Sequence, residues 1–131
     1  MNTTKAILKN AWPYQQDKMN LPVASVESAV PFYERMFKFS IVSVTNEPHK
    51  SVVLERDGIQ IGLAENGGDP TQDGCFIEVD NVEHALHEFK ANGLQKELSD
   101  IQIQNHGTTK WRVFFVVAPD GLCYCFGERQ N

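Results

Sequence analysis

Catalysis or metal binding in a chain of this size needs acids, thiols or imidazoles held close together. Cys123 and Cys125 stand two apart on one predicted strand and share a face. They read more simply as small apolar wall residues than as a redox or metal pair. With Cys75 the cysteine count is odd and no CxxC occurs, which argues against a disulfide framework and fits a reducing cytoplasm. His84 and His87 are an i, i+3 pair on a predicted helix whose outward face is expected to be solvated. Glu65 and Glu128 each close a predicted strand and are expected at a rim. Glu55, Glu78 and Arg112 are the groups that could serve in acid–base roles. No Ser-His-Asp or Cys-His arrangement is readable from the spacing.

The totals exclude several classes. At 131 residues the chain fits one domain able to bury its own core. A net charge of −5 gives no support for nucleic-acid binding, which relies on basic patches. It mildly favours a cationic ligand. No apolar run reaches the roughly 18 residues of a membrane span, so no membrane partner is expected. The first residues lack the apolar stretch of a secretory signal.

The elements that position these groups occur twice. Shifted by 56, Leu21–Val30 lies over Ile77–Leu86, with identities at Val23/Val79, Val26/Val82, Glu27/Glu83 and Ala29/Ala85. Shifted by 63, Ser51–Glu65 lies over Phe114–Glu128, with identities at Val53/Val116, Asp57/Asp120, Gly58/Gly121 and Glu65/Glu128. Met19–Ala24 alternates as a strand, and Pro22, lacking a ladder donor, places it at an edge. Ser25 is the expected N-cap of a helix that turns Ala29, Phe32, Tyr33 and Met36 to a sheet. Phe39–Thr45 is a strand, and Asp57-Gly58 joins His49–Arg56 to Ile59–Glu65 as a two-residue hairpin. Asn66–Gly74 is a polar linker. The second half repeats the order: strand Cys75–Val79, helix Val82–Asn92 closed by Gly93, a strand within Gln95–Gln104, and a hairpin of Lys110–Val117 and Leu122–Gly127 about Asp120-Gly121. One α+β domain over 1–131 follows, with modules βαβββ at 18–67 and 74–129. Residues 1–17 are an extension in which Lys5–Trp12 reads as a short amphipathic turn ending before Pro13.

The duplicated βαβββ order, the segment LPVASVESAVPFYERMFKF and the closing FFVVAPDGLCYCFGE resemble the vicinal oxygen chelate superfamily of glyoxalases, bleomycin-resistance proteins and extradiol dioxygenases. Trp111 ahead of the Asp-Gly turn and the closing Phe126-Gly127-Glu128 are most similar to the bleomycin-resistance branch. The resemblance implies a cupped mixed β-sheet with helices on its convex side. In the family's enzymes a divalent metal sits in the cup. The equivalent positions here are Lys18, Gly62, Gly74 and Cys125, which lack a His or Glu ligand, so neither a metal nor another cofactor is expected. Glycine at two of them is expected to leave room.

Alternation from each Asp-Gly turn predicts the lining of the cup. In the first hairpin Val52, Leu54, Arg56, Ile59, Ile61 and Leu63 should face the helix, while Val53, Glu55, Gln60 and Gly62 face the cup. In the second, Phe115, Val117, Leu122, Tyr124 and Phe126 should face the helix. Arg112, Phe114, Val116, Cys123 and Cys125 should then line the cup with Asn20, Phe76 and Glu78. Trp111 at the strand's start could stack a planar or cationic group. The expected ligand-binding set is therefore Glu55, Gln60, Phe76, Glu78, Trp111, Arg112, Phe114 and Cys125. By resemblance, the first expectation is a metal-free protein that sequesters a small molecule, such as an antibiotic or another planar or cationic compound. The resemblance also implies a homodimer with an exchanged N-terminal strand. The alternative is a lyase or dioxygenase-like enzyme with an unusual metal set or a metal-free site. A third reading is an interaction subunit with a vestigial cup.

Overall fold

The computed structural model describes residues 6–13, 17–69, 71, 73–95, 98–119 and 121–130. The elements run β1 (Leu8–Pro13), β2 (Leu21–Pro22), α1 (Val26–Arg35), β3 (Ser40–Thr45), β4 (Ser51–Arg56), β5 (Ile59–Ala64), β6 (Asp73–Val79), α2 (Val82–Ala91), β7 (Gln102–His106), β8 (Thr109–Val117) and β9 (Cys123–Gln130). They form two sheets, ordered β2-β5-β4-β3 and β1-β6-β9-β8-β7. In each module the first strand runs parallel to the last, and the other pairings are antiparallel. The α+β class and the two βαβββ modules are as expected.

The repeat extends to the helix starts. Ser25 and Asn81 cap α1 and α2, their side chains accepting hydrogen bonds from the Ser28 and His84 amides. The carboxylates of Glu65 and Glu128 accept from the first helical amides, Val26 and Val82, each at 2.9 Å. These strand-end residues thus have a specific role: each ties the last strand of its module to its own helix and places negative charge at the positive end of the helix dipole.

One apolar core serves both modules. Phe37, following α1, meets Phe89 of α2 and Tyr124 and Phe126 of β9 with ring centroids 5.1–5.6 Å apart. The Tyr33 and Tyr124 hydroxyls share a buried 2.6 Å hydrogen bond. Side chains from the helix-facing sides of both sheets, among them Leu54, Ile61, Ile77 and Phe126, belong to this cluster. The other faces of the two sheets therefore look away from each other within the chain.

Two expectations are corrected. Of the segment Lys5–Trp12 read as an amphipathic turn, Lys5 lies outside the described residues and Leu8 onward is the strand β1, which pairs antiparallel with β6. A register shift between Leu8 and Asn10 lets Leu8 and Ala11 both reach the core, so a bulge reproduces the three-residue spacing of a helix. The second hairpin does not close on two residues: Val117 pairs with Cys123, leaving the connection 118–122. Pro119 has no amide hydrogen, so it cannot fill the position that Arg56 takes opposite Ile59 in the first hairpin. The first hairpin is as expected, with Asp57 and Gly58 at φ 55° and 80°. Asp120 lies outside the described residues.

The strand expected over Met19–Ala24 shortens to Leu21–Pro22, and the one within Gln95–Gln104 begins at Gln102. β1 is anchored at its N-terminal end. The buried Arg56 guanidinium donates to the carbonyls of Ala6 and Phe37 and to Glu88 Oε1, at 2.7, 2.7 and 2.8 Å, while Asp57 accepts from the Leu8 amide at 2.9 Å.

Candidate functional site

The changed closure of the second hairpin reverses the facing of β8 while leaving β9 as expected. Phe114 lies fully buried in the core, stacked on Phe126 with centroids 5.5 Å apart. Arg112 shares that face and donates to Glu83 on α2 at 3.0 Å. Neither lines the open face, where both were expected. Val116 joins Phe114 in the core. Trp111, Val113 and Phe115 take the opposite face and pack with Phe76 and Cys125.

An aromatic pocket forms on this face. Phe76 sits edge-on to Trp111 at 4.9 Å, and Trp12 stands opposite Phe76 in the β1–β6 register. The Trp12 ring is 5.9 Å from Phe76 and 6.4 Å from Trp111, while His106 closes another side at 5.6 Å from Phe76. With Pro13, Thr109 and Arg129 these rings line a cavity of about 390 Å³. That volume falls in the range that takes small organic ligands. Gly127 makes the arrangement possible: a Cβ there would stand 2.6 Å from Phe76 Cζ.

Trp12, Pro13, His106, Thr109, Arg129 and Gly127 were not among the expected site residues. Trp12 belongs to the site only because β1 pairs with β6, a contact that its own neighbours in sequence do not signal. Arg129 lies beyond the repeat and faces Trp111 through the shifted register, its guanidinium carbon 5.1 Å from the ring centroid.

The remaining expected residues divide. Phe76, Trp111 and Cys125 come together as described. Glu78 follows Phe76 on the same face but is buried beside β1, accepting from Asn10 Nδ2 at 3.5 Å with Lys9 Nζ at 3.8 Å. Glu55 and Gln60 meet on the other sheet, Gln60 donating to Glu55 at 2.8 Å. Glu55 also borders a polar cavity of about 420 Å³ with Lys38, Ser40 and Arg56. Asn20 sits in the turn before β2, donating to Asp17.

The four positions equivalent to the superfamily's metal ligands do not suit a cation. The chain crosses over Gly62, whose amide donates to the Lys18 carbonyl at 2.8 Å. A Cβ at Gly62 would meet the Met19 carbonyl oxygen at 2.1 Å, and one at Gly74 would meet the Tyr124 ring at 2.9 Å. The two glycines therefore accommodate close packing and do not leave room. Among the described residues no group of three His, Cys, Asp or Glu side chains stands close enough to hold a metal ion. Cys75 faces the core, where burial pushes its thiol up to about 12, with Lys18 opposing weakly.

The sequence profile of the Glyoxalase/Bleomycin resistance protein/Dioxygenase superfamily matches residues 15–123. No curated protein matches the sequence. Among solved structures, a superfamily member from Sphaerobacter thermophilus DSM 20745 superposes with a TM-score of 0.67 at 18% identity, covering 87% of this chain and 96% of that one. A bleomycin-binding protein complexed with bleomycin gives 0.65 at 23% identity, over 89% and 98%. TnmS3, an antibiotic-binding protein from Streptomyces sp. CB03234, gives 0.65 at 15% identity, over 88% and 97%. At these identities the likeness is one of fold.

Proposed function

The chain belongs to the Glyoxalase/Bleomycin resistance protein/Dioxygenase superfamily, and from that membership and the aromatic pocket we propose that it binds and sequesters a planar small molecule without a metal. The observation that carries this reading is the open aromatic pocket lined by Trp12, Phe76, Trp111 and His106. Trp12 presents a large rigid face, 42% exposed although it sits in a strand, over a floor formed by the buried Phe76 and Trp111. Exposed aromatic surface at the mouth of a cavity is costly in water and is relieved when a flat ligand covers it.

Antibiotic binding by two structural neighbours supports an antibiotic-like compound as the ligand class, and so a resistance role. The protein acts as a homodimer in this reading. Its open aromatic face carries exposed Trp12 and Val117, and a second copy presenting its Glu55/Gln60 face would complete the enclosure. An odd number of cysteines supports a reducing compartment, the cytoplasm.

The test is a screen of planar aromatic compounds by native mass spectrometry, with tryptophan fluorescence as a second readout. At least one compound should bind stoichiometrically, and Trp12→Ala should weaken it by up to about tenfold through loss of a ring contact. Failure of every planar compound to bind, or unchanged affinity in the variant, refutes the assignment of the site. The same spectra report whether the protein is a dimer.

A further inference from the structure

Resting on the reading of the aromatic pocket as a ligand site, we infer that the pocket selects a planar ring carrying an anionic group, such as an aromatic carboxylate or sulfonate, over a cationic one.

The Arg129 guanidinium lies over Trp111 at 5.1 Å and forms part of the pocket wall. Arg56 and Arg112 are paired with Glu88 and Glu83, whereas the Arg129 side chain makes no hydrogen bond or ion pair among the described residues. Its side chain is exposed, so a fork of donors suited to a carboxylate or sulfonate stands at the rim. Thr109 can also donate a hydrogen bond, His106 Nε2 is engaged with Gln104 Oε1 at 2.9 Å, and among the described residues no carboxylate lines the cavity.

A cation would ordinarily be drawn to the faces of two tryptophans and a phenylalanine. Here Arg129 already occupies the cation's place on Trp111, so a second positive charge would stand beside a like charge. Glu78, two residues along β6 from Phe76, could offset this, but its oxygens already face Lys9 and Asn10. The chain's net charge of −5 pulls the other way. That long-range field is screened over about 8 Å in physiological salt, while the contact with Arg129 is local.

Isothermal titration with naphthoate, naphthamide and naphthylmethylammonium holds the ring system constant while changing the charge. Naphthoate should bind about tenfold more tightly than the ammonium probe, the scale of exchanging a like-charge for an opposite-charge contact at a partly exposed site. Arg129→Gln should abolish that difference and Arg129→Lys should retain part of it, with melting temperatures confirming that both variants fold. Equal or tighter binding of the ammonium probe, or a preference that survives Arg129→Gln, overturns the charge selection and leaves the pocket standing as a binding site. If none of the three probes binds, the pocket does not accept bicyclic rings and the charge selection falls with it.

Discussion

Replacing Arg56 by methionine tests the joint between the N-terminal strand and the two modules. The substitution keeps an aliphatic stem of similar length while removing donations to Ala6 O, Phe37 O and Glu88 Oε1. Glu88 is only 2% exposed, and its Oε2 has no hydrogen-bond partner, so without Arg56 its charge has no compensation. Breaking one side of a buried ion pair costs about 3–5 kcal/mol. Each stranded carbonyl adds about 1–3 kcal/mol unless water reaches it. The variant should therefore lose at least 3 kcal/mol, roughly a 10–20 °C fall in melting temperature for a domain of this size.

Urea denaturation followed by far-UV circular dichroism measures the loss, and hydrogen exchange over Leu8–Pro13 should show β1 opening before the rest. The double variant Arg56→Met/Glu88→Leu removes both buried charges and leaves the two carbonyls and the part-exposed Asp57 carboxylate without Arg56, so it should be more stable than Arg56→Met alone. A loss below about 1 kcal/mol in the single variant, or a double variant less stable than the single, would refute the claim that the pair's buried charge holds this joint.

Glu65→Ala and Glu128→Ala should each cost about 0.5–2 kcal/mol, the usual range for a lost N-terminal cap, with exchange accelerating in the first turn of the matching helix only. Equal acceleration in both helices would show that the carboxylates act globally. Cys75 gives a pH-dependent prediction: its thiol is near 9.0 when solvated and about 12 in the fold. Above pH 9 the unfolded chain loses this proton first, so stability from this group is complete below pH 9 and declines as pH rises toward about 12. Cys75→Ala should flatten that part of the alkaline unfolding curve; an unchanged slope would refute the assignment.

Features governed by neighbours in the chain were legible from residues alone. Ser25 precedes an apolar helical repeat and caps it. Asp57-Gly58 adopts positive φ at both positions and sets the facing of β4 and β5 as alternation from that turn requires. The duplication is visible because each module repeats the same local signals at the same spacing.

What alternation could not supply was the closure of the second hairpin. Its Asp-Gly pair repeats the first, but Pro119 cannot donate where Arg56 does, and one step of register turns Trp111 toward the pocket and Phe114 into the core. The strand β1 was equally hidden, because a bulge gave its buried residues helical spacing and its hydrogen-bond partner lies some 65 residues later in the chain. The duplicated frame, its caps and its first turn follow from interactions a few residues long. The aromatic pocket depends on which strand edges meet and in what register, since Trp12, Phe76 and Trp111 become neighbours only when backbone hydrogen bonds align four strands, β1, β6, β9 and β8, across the sheet.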